Sequence, residues 1–136
     1  NSSILIVNNY QNEKFDKILL PLNDSSGMMK VAKYAIRVSL ALKVSIEILT
    51  VTNKKDSDVV NKSKIDKIIK LIRRSGEAHF HKIEDGDIVE KIVNRAGKDK
   101  IIVMKASSMS PIQRFFKGSI PLSVMNECNV PILIVK

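Results

Sequence analysis

The sequence predicts an α/β domain built on a parallel sheet with helices covering both faces. Three observations lead there. Ile18-Leu19-Leu20-Pro21-Leu22 and Ile101-Ile102-Val103-Met104 are uninterrupted apolar runs, as expected of strands buried on both sides. Amphipathic stretches with helical spacing separate strand-like runs along most of the chain. That alternation implies right-handed βαβ crossovers and a parallel sheet. Both buried runs lead into polar segments, and loops at the carboxyl ends of parallel strands are where such sheets bind ligands.

The first strand of the alternation, Ile18 to Leu22, ends in the turn cluster Asn23-Asp24-Ser25-Ser26-Gly27. A helix is expected over Ser26 to Lys43, with Met29, Ala32, Ala35, Ile36, Ser39 and Leu40 facing inward and Lys30, Lys33 and Arg37 outward. Strand propensity returns over Val44 to Thr52 through Val44, Ile46, Ile48, Leu49 and Val51. Asp56 or Ser57 is a candidate cap for a second helix that turns Val60, Ile65, Ile68, Ile69 and Ile72 inward and ends near Gly76. Ala78 to Ile83 reads as a short strand. Gly86-Asp87 opens a third helix with Ile88, Val89, Ile92, Val93 and Ala96 as its stripe and Gly97 past its end. A strand over Ile101 to Met104, a long loop, a helix from Ser119 to about Glu127 and a last strand over Pro131 to Val135 complete the chain.

Residues 1–14 do not fit the alternation. Ser3-Ile4-Leu5-Ile6-Val7 is strand-like and echoes Pro131-Ile132-Leu133-Ile134-Val135, with a polar Asn8–Lys14 stretch between it and the main domain, 15–136. Two expectations follow: a tail ordered by contacts, or the closing strand of a preceding copy in a longer protein. The last strand would expose its hydrogen-bonding edge unless a partner or the Ile4–Val7 strand covers it.

Composition narrows the function classes. A chain of 136 residues, 44% hydrophobic, suits one domain with a single sizeable core, which must be aliphatic because aromatics make up only 4%. No run reaches the roughly 20 apolar residues that span a bilayer, and the first strand-like segment lacks the basic start and length of a signal peptide. The lone Cys128 has no internal disulfide partner, which points to a reducing, cytoplasmic setting. The net charge of +9 is concentrated at Lys54, Lys55, Lys62, Lys64, Lys67, Lys70, Arg73 and Arg74. A solvated lysine face on the second helix accounts for it, and no interleaved aromatics supply a stacking platform for single-stranded nucleic acid. An anionic-surface binder would show affinity that falls steeply with salt.

Other candidate chemistry is thin. His79 and His81 share one face of a strand, yet two imidazoles without a third ligand make a weak metal claim even with Glu84 and Asp85 nearby. Cys128 is expected to be a buried structural thiol. Ser25, Ser26, Ser107, Ser108 and Ser110 surround the loops without a Gly-x-Ser-x-Gly nucleophile motif, and Asp24 adds no triad. Phe115 and Phe116 are expected to anchor their loop on the core, or else to pack against a second subunit. No catalytic constellation emerges, so an enzyme is not expected.

Lys17-Ile18-Leu19-Leu20-Pro21-Leu22, Gly86-Asp87-Ile88-Val89-Glu90-Lys91-Ile92, Asp99-Lys100-Ile101-Ile102-Val103-Met104, Gly118-Ser119 and Val130 to Val135 follow one another in an order and spacing that is specific. Together these segments resemble the universal stress protein domain. The resemblance covers Phe15 to Lys136. It implies a three-layer, Rossmann-like (adenine-nucleotide alpha-hydrolase-like) domain with a five-stranded parallel sheet of order 3-2-1-4-5. It also implies a homodimer through the last strand. ATP-binding members carry Gly-x2-Gly-x9-Gly-[Ser/Thr], where this chain has Lys105-x2-Ser108-x9-Gly118-Ser119. They usually carry Asp where this chain has Asn23. Glycines there allow positive φ and bring backbone N–H groups close to phosphate. Lys105 and Ser108 add side chains, and Pro111 stiffens the loop.

The resemblance thus implies a degenerate nucleotide or anion site at Asn23, Val51, Lys105, Ser108, Gly118 and Ser119, with ATP binding weakened or lost. A helix start at Gly118-Ser119 would still offer N–H groups to ATP or another anion. The implied role is a regulatory or ligand-binding domain, with fusion to a second such domain or to a membrane protein such as a transporter as a further expectation. A slowly ATP-hydrolysing stress protein is the alternative.

Overall fold

Residues 4–6, 15–23, 26–52, 62–75, 79–106, 124 and 127–135 are described by a computed structural model of the chain. Among the described residues six strands form one sheet: β1 (Ile4–Ile6), β2 (Lys17–Pro21), β3 (Ser45–Thr52), β4 (His79–Asp85), β5 (Lys100–Lys105) and β6 (Ile132–Val135). Their spatial order is β1-β6-β5-β2-β3-β4. The five strands from β2 onward run parallel, and β1 alone is antiparallel, paired to β6. Counted from β2, the parallel order is 3-2-1-4-5, as the resemblance implied. Helices α1 (Met28–Leu42), α2 (Lys62–Arg74) and α3 (Ile88–Ala96) connect successive strands.

Period-2 alternation divides each buried run between two cores. Ile18, Leu20, Ile46, Ile48, Ile101 and Val103 pack under α1 and α2 with Val31, Ala35, Ile65, Ile68 and Ile72. Leu19, Leu49, Ile102, Met104 and Ile132 face the other way, against Ile92 and Ala96 of α3 together with Val124 and Cys128. Many of these side chains are wholly buried, and each buried Val, Leu or Ile contributes about 1.5–3 kcal/mol through removal from water. The central strands therefore lack a polar face.

The buried stripe of α1 is Met28, Val31, Ala32, Ala35 and Ser39. It departs from expectation at both ends, because Met29 is 37% and Leu40 53% exposed. Adjacent apolar pairs made two helical phases plausible. The phase adopted turns Ala32, Ala35 and Ser39 inward, small residues that let the helix lie close to the sheet. α3 follows its sequence signals closely: Asp87 caps it, accepting from Glu90 N–H at 2.9 Å, and Gly97 follows with φ 58°. Ile65, Ile68 and Ile72 are the buried positions of α2, with Ile69 half-buried. The proposed cap at Asp56 or Ser57, Val60, Gly76 and the helix expected from Ser119 lie outside the described residues, apart from helical positions at Val124 and Glu127.

β6 is not the edge of this sheet. β1 covers it, with Ile4 opposite Ile134, Leu5 opposite Leu133 and Ile6 opposite Ile132. Among the described residues no helix is long and apolar enough to cross a membrane.

Candidate ligand-binding site

Strand order reverses between β2 and β5: β3 and β4 extend from one side of β2, while β5 and β6 lie on the other. The carboxyl ends of β2 and β5 therefore flank the topological switch point, the usual ligand crevice of an open parallel sheet. Backbone pairing continues to its rim on both sides. Leu22 N–H donates to Leu49 C=O and Ala106 N–H to Val135 C=O, each at 2.8 Å. Asn23 and Lys105, each adjacent to one of these pinned residues, are thus presented at the mouth, both half-buried.

Lys105 is the last residue of β5, and its side chain reaches across the switch point toward the start of α1. A Cβ placed on Gly27 would lie 3.5 Å from Lys105 Cε and 3.9 Å from Nζ. Gly27 has φ 85° and is the N-cap of α1, without a side-chain cap hydrogen bond and without an acidic residue in the following turn. Its left-handed backbone favours glycine at this position. The Lys105 ammonium thus lies beside the amino end of α1, where the helix dipole is positive.

The geometry also corrects one of the two reasons for expecting glycine at position 105. The residue is in a strand and has no positive φ, since Lys43 is the one non-glycine residue with positive φ among those described. A glycine here would supply room, not backbone freedom.

Val51 lies at the carboxyl end of β3, beside β2, and packs half-buried against the core under α3. Of the six site residues expected from sequence, Asn23, Val51 and Lys105 are thus at the ends of adjacent strands. Ser108, Gly118 and Ser119 lie outside the described residues, as do Asp24, Ser25, Ser107, Ser110, Pro111, Phe115 and Phe116.

The remaining candidates have structural explanations. His81 Nε2 is 2.9 Å from Thr50 Oγ1 across the β3–β4 ladder. Burial, and then the neighbouring His79, push its pKa below the ordinary 6.5, with Asp66 opposing them. The unfolded chain therefore takes up a proton there more readily than the folded one. Stability from this ring is present above about pH 6.5 and is lost as pH falls toward the lower folded value. Denaturant midpoints at pH 7.5 and 5.5 should show a smaller acid loss in His81→Asn than in the parent. An equal loss in both would remove His81 as its source. Cys128 is buried, and burial followed by Glu127 raises its thiol to about 11, so it is a poor nucleophile.

A polar cluster that the sequence did not announce sits at the opposite, amino end of the sheet. Glu47 of β3 is 4% exposed. It accepts from Lys100 Nζ at 3.0 Å and faces Arg95 Nε at 3.5 Å. Lys100 also donates to the Arg95 carbonyl at 2.6 Å. The one available signal was an acid between Ile46 and Ile48 in an otherwise apolar strand. The described lysines of α2 form an exposed face, as expected. Arg74 joins Lys33, Ile36, Arg37, Leu71 and Ser75 around an open groove of about 360 Å3 between α1 and α2, away from the crevice.

The sequence model of the universal stress protein family matches residues 14–136. The chain belongs to that family. Among solved structures, a universal stress protein in complex with cAMP is similar at TM-score 0.75 and 15% identity, covering 91% of this chain and 99% of the other. A universal stress protein from Archaeoglobus fulgidus in complex with dAMP gives TM-score 0.67 and 19% identity, covering 90% and 98%. Another, from Archaeoglobus fulgidus DSM 4304, gives TM-score 0.76 and 19% identity, covering 98% of this chain but 49% of its own. At these identities the likeness establishes the fold. No curated protein sequence matches this universal stress protein domain significantly.

Proposed function

We propose that this universal stress protein domain is a regulatory, ligand-binding module whose capacity for ATP is weakened or lost. One observation carries the reading: the Lys105 side chain, at the carboxyl end of β5, lies against Gly27 at the start of α1. A nucleotide entering there has to displace a lysine stem as well as water. The relatives solved with cAMP and dAMP support adenine nucleotides as the ancestral ligand class.

The Lys105 ammonium and the α1 N-terminus favour a smaller anion over a whole nucleotide, because a small anion needs charge and N–H groups but little room. In this reading the module acts by binding a ligand at the crevice. Mass spectrometry of protein purified without added nucleotide tests this reading. The expected result is no stoichiometric adenine nucleotide; one ATP per chain would overturn it.

A further inference from the structure

The β1–β6 ladder has an internal two-fold symmetry. Ile4-Leu5-Ile6-Val7 repeats Ile132-Leu133-Ile134-Val135 residue for residue. The two strands run antiparallel with Leu5 opposite Leu133 and each flanking isoleucine opposite an isoleucine. A dyad through the leucine pair therefore exchanges β1 with β6. That is the register two copies of one strand adopt in an isologous contact. A tail serving only to cover an edge would need neither the same residues nor this centring.

β1 also stands outside the βαβ succession, as the single antiparallel strand in the sheet. It comes just before β2 in the chain yet lies beyond β5 and β6 in space. Three residues make few ladder bonds, and a strand this short is marginal unless it belongs to a larger folded body.

A third observation is independent of the echo. The structures that match only 90–91% of this chain match nearly all of their own. One match that reaches 98% is to a protein of which it takes up only 49%, and another at 98% takes up 52% of the protein it matches. Residues 1–13 are about a tenth of this chain, so the longer proteins' matches have to take in most of the segment that carries β1.

We propose that β1 is the closing strand of a second universal-stress-protein unit carried N-terminal to this one on the same polypeptide, and that the outer edge of β6 is the surface on which that unit docks. The β1–β6 ladder is then the joint between two homologous domains, one sheet continuing into the other. This inference is independent of the ligand reading, since none of its observations involves Asn23, Gly27 or Lys105.

Intact-mass measurement of the natural polypeptide, matched to its reading frame, is the first test. The expected chain is about twice this length, with a second domain of this family ending at Ile4 to Val7. A polypeptide beginning within a few residues of Asn1, or preceded by an unrelated sequence, would overturn the proposal. Such a chain found dimeric by light scattering would make the partner a second copy in trans.

The second test places Ile4→Pro and Leu5→Pro together in the intact polypeptide. These changes remove whichever N–H faces β6. Small-angle scattering should show a longer maximum dimension while far-UV circular dichroism stays unchanged. Unchanged scattering would mean that this ladder does not join the units.

Discussion

Lys105→Gly combined with Ser108→Gly should raise ATP affinity at least about tenfold, an increment of about 1.4 kcal/mol, when measured by calorimetry. The expectation follows from where Lys105 sits. Its stem lies 3.5 Å from the position a Gly27 Cβ would take, so shortening it opens the crevice between β2 and β5. Because position 105 is in a strand without positive φ, Lys105→Ala should recover most of what Lys105→Gly recovers. Equal, negligible gains from both would mean that the lysine does not obstruct the site. A large gain confined to glycine would mean that backbone freedom, not room, is limiting.

Glu47→Ala should lower stability by about 2–4 kcal/mol, read as a drop of roughly 6–15 °C in Tm for a domain of this size. The carboxylate is nearly fully buried and faces both Lys100 and Arg95. Its removal leaves two cations at the end of the α3 core. Arg95 Nε, already buried without a hydrogen-bond partner, then loses its nearby countercharge. The Lys100 and Arg95 side chains are 19% and 27% exposed, so water relieves part of the loss and keeps the figure below that of a wholly buried pair. Glu47→Gln keeps an acceptor for Lys100 and should cost about half as much. A change under about 1 kcal/mol for Glu47→Ala would show that the cluster contributes little.

The parallel architecture was legible because its signals are local. Period-2 and period-3.6 patterns divide Ile18, Leu19 and Leu20 between two cores and set the stripes of α2 and α3. The Gly86-Asp87 start and Gly97 end of α3 are caps with a physical mechanism, and they hold. Long-range facts were not legible. Glu47 meets Lys100 across 53 residues because both β3 and β5 align on β2, a register no single segment encodes.

The α1 stripe was misphased at Met29 and Leu40 because two adjacent phases were nearly equally apolar, and small residues decided between them. For the crevice, sequence spacing identified Lys105 as the misfit. It did not reveal that the residue closes a strand and turns its side chain over Gly27.

Thermal denaturation of the wild-type domain with about 1 mM ATP tests the central claim most directly. A site binding ATP at about 10 μM would be stabilised by about 2.7 kcal/mol at that concentration, raising Tm by roughly 8–11 °C. With Lys105 across the crevice, the predicted shift is less than about 1 °C, with the Lys105→Gly/Ser108→Gly protein moving further under the same conditions. A wild-type shift of several degrees, saturating at micromolar ATP, would contradict the account.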